Sequence, residues 1–372
     1  MQARIEKLIR SMSETGFDVI ALNPSPTLTY LTGLQFHLME RPTVFIVSIH
    51  GETAMVLPEL EASKLEGITM GIQAFTYSDD PETRADAFKR AADHLQLPGE
   101  ELGVEATRMR FLEMMYLGDA FPEAAFVDAN DCLAGLRLIK DLDEIDKMNQ
   151  AARIAEEALL ITLQGLRAGV TEKAVANELI IQLLRAGSDP GLPFSPIVAF
   201  GENTANPHAV PNDRALRTGD LVLVDWGAGY LGYLSDITRT FTYGDVDPEL
   251  LQVGEIVLRA NRAGRDSVQP GVQAGAVDRA AREVIDAAGY GHAFVHRTGH
   301  GLGLEAHEAP YIYDGNELIL KAGMTFTVEP GVYLPGKGGV RIEDDVVVTE
   351  TGRESLSQLP REVQPLENFI QA

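Results

Sequence analysis

Leu221-Val-Leu-Val-Asp225-Trp-Gly-Ala-Gly-Tyr-Leu-Gly-Tyr-Leu-Ser-Asp236-Ile-Thr-Arg-Thr-Phe241 reads as two strands joined by a Gly/Tyr-rich turn, each carrying one aspartate. Period-two alternation puts Leu221, Leu223 and Asp225 on one face of the first run. In the second run Asp236, Thr238, Thr240 and Thr242 share a face, opposite Ile237 and Phe241. The link from Gly227 to Gly232 supplies glycines for the positive φ that a hairpin turn needs. Two carboxylates brought side by side repel, and need a cation or a shared proton. On its own, a pair of aspartates among 55 acidic residues is most simply structural or solvated.

Three further segments raise the same question. Gly299-His300-Gly-Leu-Gly-Leu-Glu-Ala-His307-Glu308 sets two histidines seven apart across a glycine-rich bend, where glycines allow close backbone approach. In Met324-Thr-Phe-Thr-Val-Glu329-Pro-Gly the alternation sends Met324, Phe326 and Val328 one way and Thr325, Thr327 and Glu329 the other. Val340-Arg-Ile-Glu343-Asp-Asp-Val-Val-Val348 reads as a single strand with Arg341 and Glu343 opposite Ile342, Val346 and Val348. Blander readings exist for each: a strand end for Glu329, an ion pair with Arg341 for Glu343. Taken together, they place carboxylates or imidazole on otherwise apolar strands, where a buried charge must be paired or bound to metal. Four carboxylates and one neutral imidazole balance two divalent cations, and a ligand set rich in oxygen suits Mn, Co or Zn.

Composition narrows the alternatives. The chain is 45% hydrophobic and 23% charged, ordinary for a globular protein, and its 372 residues suffice for two domains. A formal net charge of -24 argues against nucleic acid or an anionic membrane surface as partner. A single cysteine, Cys132, excludes an internal disulfide framework and a Cys-rich zinc site. The charged amphipathic start, Met1 to Arg10, has no apolar signal-peptide core, and no apolar run reaches the ~18 residues of a membrane span. A cytoplasmic location is expected.

In chain order, the first 130 residues read as an α/β domain. A helix is expected from Arg4 to Thr15, a strand at Asp18–Leu22, a hairpin of Thr43–Ile49 with Thr53–Leu57, a helix over 83–95 and a strand at 102–105. Nothing there gathers catalytic residue types. Residues 131–372 read as an α+β domain with long helices at 142–167, 171–187, 249–268 and 276–288. A helical segment leading into strands occurs twice, at 142–243 and 249–349, a weak internal echo. Trp226 alternates away from Asp225 and reads as core.

With these segments in view, the chain resembles the Xaa-Pro dipeptidase (prolidase) and aminopeptidase P metallopeptidases of the pita-bread fold, peptidase family M24. Residues 142–350 resemble the catalytic domain, and Leu28-Thr-Tyr-Leu-Thr-Gly33 resembles the creatinase-type N-terminal domain. The resemblance implies that Asp225, Asp236, His300, Glu329 and Glu343 hold two divalent metal ions, with Asp236 and Glu343 bridging. It implies that His208 and His307 contact substrate and stabilise the tetrahedral intermediate, and that Glu329 doubles as general base. Tyr333 and Arg341 match positions that orient the ligands, a supporting role that His296 is also expected to share. The implied reaction is hydrolysis of the bond between an N-terminal residue and proline by a metal-activated hydroxide, in a homodimer acting on small peptides. In some prolidases of this short type an arginine stands four residues after the second histidine and grips the free carboxylate of a dipeptide; here Tyr311 occupies that position. A creatinase-like amidinohydrolase or a non-catalytic binding protein of the same fold would lack the full ligand set, and a methionine aminopeptidase would normally lack so large an N-terminal domain.

Overall fold

The structure is a computed structural model that describes residues 2–68, 71–95 and 101–369, so Met1 of the expected amphipathic start lies outside it. The chain forms two compact units, one ending at Arg137 and the other beginning at Leu138. The first contains α1 (Gln2–Thr15), β1 (Val19–Leu22), α2 (Pro26–Thr32), β2 (Val44–Ser48), β3 (Thr53–Pro58) and β4 (Gln73–Tyr77). It continues through α3 (Arg84–Leu95), β5 (Glu101–Val104), α4 (Phe111–Ala120), β6 (Ala125–Asp128) and α5 (Asn130–Arg137).

Its six strands form one sheet in the order β4-β3-β2-β1-β5-β6. The expected hairpin is β2–β3, with Val44 opposite Val56 and Val47 opposite Thr53. Val19, Ala21, Val44 and Ile46 share a core with Phe88, Ala91 and Leu95 of α3 and Leu117 of α4. Short α2 follows from local signals: Ser25 caps it, Pro26 opens it, and Gly33 closes it at φ 75°. The expected boundary at 130/131 falls at the start of α5, whose Cys132, Leu133 and Leu136 are buried.

The second unit begins with α6 (Leu142–Leu163) and α7 (Glu172–Arg185), followed by β7 (Ile197–Phe200), β8 (Asp220–Trp226), β9 (Gly229–Tyr230), β10 (Tyr233–Leu234) and β11 (Ile237–Tyr243). A second helical pair, α8 (Pro248–Ser267) and α9 (Ala274–Ala287), leads into β12 (Gly299–Gly301), β13 (Glu308–Ile312), β14 (Thr325–Val328), β15 (Gly331–Leu334), β16 (Gly338–Arg341), β17 (Asp344–Val348), β18 (Arg353–Ser355) and β19 (Gln364–Pro365). The two halves of the echo thus share an order, helix pair and then strands. α6 starts at a reciprocal cap: Asp141 accepts from the Glu144 amide at 2.9 Å, and Glu144 accepts from the Asp141 amide at 2.8 Å. It ends at Leu163, short of the expected residue 167.

β19-β11-β8-β7 form one sheet and β13-β12-β14-β17-β18 another. β8 is buried along its whole length. Val222, Val224 and Trp226 enter the core with Ala155, Leu159 and Leu179, while Leu221 meets Leu250, Val253 and Val257 of α8. Trp226 is core, as its alternation implied, and its indole N–H donates to the Ala155 carbonyl at 2.7 Å. The run Val340–Val348 is not one strand. Arg341 ends β16, which pairs with β15, and Asp344 begins β17 in the five-stranded sheet. Between them the Glu343 amide donates to the Thr238 carbonyl at 3.1 Å, a single bridge from β11 to the segment entering β17.

Candidate metal centre

The opening hairpin is real but more elaborate than a simple turn. β8 and β11 pair antiparallel with Asp225 opposite Thr238, so Asp236 sits just outside the ladder. The intervening residues form a small ribbon, β9 against β10, turning at Leu231 (φ 50°) and Gly232 (φ 85°). Ser235 and Ala228 close its base through the Ser235 amide, 3.0 Å from the Ala228 carbonyl. Asp225 and Asp236 therefore leave the same end of the strand pair. The face they share is buried, with Thr238 and Thr240, and not solvated.

His300 enters from β12, whose glycines are obligatory. A Cβ on Gly299 would lie 1.9 Å from the Thr327 carbonyl oxygen, and one on Gly301 2.2 Å from the Ala309 oxygen. This close packing lets the His300 amide donate to the Thr327 hydroxyl at 3.1 Å, and the same hydroxyl lies 3.3 Å from Glu329 Oε1. Met324, Phe326 and Val328 point into a core on the other face, as alternation required. Glu343 completes the cluster from the bridge beside Thr238.

These residues converge on one cavity of about 550 Å³. Donor atoms of Asp225, Asp236 and Glu343 lie within 4.8 Å of one another; so do those of His300, Glu329 and Glu343, and of Asp236, His300 and His307. His300 Nε2 is 3.3 Å from Glu329 Oε1 and 3.7 Å from Asp236 Oδ2. Asp236, His300 and Glu343 each belong to two of the three groups.

The electrostatics of so many buried carboxylates are unfavourable without a counter-charge. Burial, reinforced by the charges of Glu343 and Asp225, pushes Asp236 well above the usual carboxylate range. Burial does the same for Glu343, with Glu329 and Asp225 adding to it. Glu329 is pushed up to about 7, chiefly by burial. Burial also raises Asp225, with Arg341 opposing. His300 is driven down to about 3 by burial and by His307, so its imidazole is neutral and able to ligate. Asp225 Oδ1 and Asp236 Oδ1 are buried and make no hydrogen bond. Orphaned carboxylate oxygens, a neutral imidazole and an acidic cluster are the donor set that a hard or borderline divalent cation fits.

A single arginine holds this cluster from behind. Arg341 Nη2 meets Asp225 Oδ2 at 2.5 Å, Nη1 meets the Tyr333 hydroxyl at 2.9 Å, and Nε donates to Thr238 Oγ1 at 3.0 Å. Thr238 in turn donates to Glu343 Oε2 at 2.5 Å, so Arg341 reaches Glu343 through a hydroxyl instead of pairing with it directly. Although burial opposes its charge, Arg341 is held firmly cationic by Tyr333, Asp225, Glu343 and Glu329. His296 Nε2 lies 2.8 Å from the Tyr333 hydroxyl and Nδ1 2.7 Å from the Arg297 carbonyl, so it supports Tyr333 while lining the cavity.

His208 and His307 are both exposed and both line the cavity. His208 follows a turn in which its amide donates to Asn206 Oδ1 at 3.1 Å. The His307 ring lies against that of His300, centroids 3.8 Å apart, and burial with the nearby Arg297 lowers its pKa. All ten residues singled out in the sequence are thus in the cavity wall or directly behind it.

Several contributors had no such signal. Thr238 and Thr327 are ordinary strand threonines in sequence. Asn261 of α8 is buried, and its amide donates to the Val328 carbonyl at 3.0 Å, the Ile342 carbonyl at 3.2 Å and Asp344 Oδ2 at 3.1 Å. It ties together the strands that carry Glu329 and Glu343. Arg239 donates to the Glu343 carbonyl at 2.6 Å and Asp344 Oδ1 at 2.9 Å. Arg297 and Phe194 also line the cavity. Arg297 stood in plain view between His296 and His300.

Residues 146–350 match the model of metallopeptidase family M24, and residues 4–139 match the creatinase/prolidase N-terminal domain. The Xaa-Pro dipeptidase of Lactobacillus delbrueckii subsp. lactis is 34% identical over 370 residues, covering 97% of this chain and 98% of that protein. A dipeptidase structure from Pyrococcus horikoshii superposes with a TM-score of 0.92 at 40% identity, over 97% of this chain and 99% of the other. A prolidase structure from Thermococcus sibiricus gives a TM-score of 0.92 at 37% identity, over 98% of both chains.

Proposed function

This chain belongs to metallopeptidase family M24, with the pita-bread catalytic domain following a creatinase-type domain in sequence, and from that premise we propose that it hydrolyses the bond between an N-terminal residue and proline. The observation that carries the proposal is the convergence of Asp225, Asp236, His300, Glu329 and Glu343 on one cavity, in overlapping donor groups. We assign these five residues to two divalent metal ions, Mn, Co or Zn. Asp236 and Glu343 are the two carboxylates that belong to two donor groups, which supports a bridging role for them. When bound, the ions supply Lewis acidity and a hydroxide nucleophile near neutral pH.

The chain's own residues do the rest. Glu329, positioned by the Thr327 hydroxyl, is the base that takes the proton from the attacking water. His307, kept neutral at the cavity wall, donates a hydrogen bond to the oxygen on which negative charge develops. His208 approaches from its own loop and holds the substrate backbone. The scissile nitrogen belongs to a tertiary amide, so it leaves as the secondary amine of proline after receiving the proton Glu329 carries. Arg341, Tyr333 and His296 fix Asp225 in place. Homodimeric assembly and a cytoplasmic location belong to the same proposal, and sedimentation tests the first.

The decisive test strips the protein with chelator and restores Mn²⁺, Co²⁺ or Zn²⁺ in turn. Hydrolysis of Xaa-Pro dipeptides, Xaa-Pro-Yaa tripeptides and Xaa-Ala controls is then followed. Metal-dependent release of the N-terminal residue from the proline substrates is expected; none from any of them sinks the reading.

A further inference from the structure

We infer that Glu172 is a positioning residue for His208: it holds both legs of the loop that carries this histidine, and so sets how the imidazole meets a bound substrate. The inference rests on the Xaa-Pro peptidase reading, in which His208 holds the substrate backbone, and names what that contact depends on. His208 belongs to neither neighbouring strand, since β7 ends at Phe200 and β8 begins at Asp220. Its side chain is exposed at the cavity wall, so packing does not fix it. The loop beneath has to do so.

Glu172 opens α7 and is only 1% exposed, a buried carboxylate outside the metal cluster. A carboxylate withdrawn from water needs donors, and the loop supplies three. Oε1 accepts from the Phe200 amide and from the Asn203 side-chain amide, both at 2.8 Å. Oε2 accepts from the Asn212 amide at 3.2 Å. Phe200 and Asn203 precede His208 and Asn212 follows it, so one side chain closes the loop at its base. The start of α7 reinforces the outgoing leg: the Glu172 amide donates to the Arg214 carbonyl at 3.1 Å, and the Lys173 amide to the Asn212 carbonyl at 3.0 Å.

From Asn203 a line of hydrogen bonds runs on to His208. The Asn206 amide donates to the Asn203 carbonyl at 3.1 Å, and the His208 amide donates to Asn206 Oδ1 at 3.1 Å. The other side of the loop is tied to the acidic cluster. Thr204 Oγ1 accepts from the Gly339 amide at 2.7 Å, and Arg341, which grips Asp225, donates through Nη1 to the Pro207 carbonyl at 3.4 Å. His208 therefore hangs between two fixed points, Glu172 at the base of the loop and Arg341 near its tip.

Glutamate is the residue that can do this. Glutamine fills the same volume but has a single acceptor oxygen. With that oxygen turned to Phe200 and Asn203, its NH₂ group faces the Asn212 N–H, donor against donor, and the outgoing leg is released. A displacement of ~1 Å far from the chemistry can cost about 10²-fold in rate.

The test measures kcat/KM on whichever of Ala-Pro and Ala-Pro-Ala the Mn²⁺-loaded wild type cleaves faster. Glu172→Gln and Asn203→Ala are compared with wild type, each also in a His208→Ala background. Asn203→Ala leaves Glu172 its two backbone donors and carries the comparison where Glu172→Gln does not fold. With His208 present, each substitution should lower kcat/KM roughly 10- to 100-fold, mainly through KM, at unchanged bound metal. In the His208→Ala background the same substitution should change it by no more than about twofold, because the histidine it acts through is gone. Equal losses in both backgrounds, or a His208→Ala variant as active as wild type, overturn the assignment while leaving the peptidase reading intact. If wild type cleaves neither peptide, the peptidase reading fails and this one with it.

Discussion

Removing the divalent ions should make the catalytic unit less stable as the pH rises, which is the opposite of ordinary acid denaturation. Above pH ~6.5 the buried histidines drop out: His296 and His300 are already neutral in the fold, at about 4 and about 3, and unfolded imidazoles lose their protons near 6.5. The cluster carboxyls remain. Burial pushes Glu329 up to about 7 in the fold, and Asp236 and Glu343 are held well above the usual carboxylate range. A carboxyl raised in this way contributes stability that is complete below its unfolded pKa and is lost as the pH climbs through the folded one. Each carboxyl still protonated in the fold but ionised in the unfolded chain lowers the unfolding free energy by about 1.4 kcal/mol per pH unit. Asp236 and Glu343 each add to this downward slope above pH ~6.5, where the imidazoles no longer contribute. Ligands bind metal in their deprotonated forms, so reloading should abolish or reverse the slope. Trp226, the only tryptophan and buried in this unit, reports the transition in urea titrations at several pH values. A metal-free midpoint that stays constant or rises across that window would refute the electrostatic account of the cluster.

Other outcomes follow from single contacts. Asp236→Asn keeps the shape but should bind at least one fewer metal ion per chain, measured by elemental analysis after gel filtration; full occupancy would refute a bridging role. Arg341→Met leaves the metal-free Asp225 without its buried partner and should cost about 3–5 kcal/mol, read from the same fluorescence transition. Gly299→Ala drives a methyl into the Thr327 carbonyl and should abolish activity through displacement of His300, visible as loss of metal binding. Asn261→Ala leaves the Val328 and Ile342 carbonyls short of a donor, while Asp344 Oδ2 keeps Arg361; a loss of roughly 1–3 kcal/mol and a fall in kcat are expected, checked by denaturation and steady-state kinetics.

The parts of the fold that alternation and capping dictate were legible in the sequence. The helix starts at 142 and 171, the β2–β3 hairpin and the opposed faces of β14 are all written in nearest-neighbour chemistry. The run from Val340 to Val348 was misread because the alternation of Val340 to Glu343 leads, with no glycine or proline, into a β-branched stretch. Only tertiary pairing reveals that Arg341 belongs to a ribbon with β15 and Asp344 to another sheet. The expected boundary at 130/131 cut off α5, whose three buried apolar residues belong with the first unit. The candidate ligands could be picked out because carboxylates and imidazoles are rare on apolar strands. Their supports could not, since Asn261 and Thr238 gain meaning only from distant partners.

The bridge from Thr238 to Glu343 has a consequence for how the unit unfolds. β8 and β11 supply Asp225 and Asp236, whereas His300, Glu329 and Glu343 come from the second helix-and-strand half. Neither half alone carries the full set, so under the proposed assignment the ions would act as a removable staple between segments far apart in sequence. Its release would uncouple two halves that otherwise melt as one, exposing the segment between β11 and α8 to limited proteolysis. Metal supply would then govern the lifetime of the protein as well as its turnover.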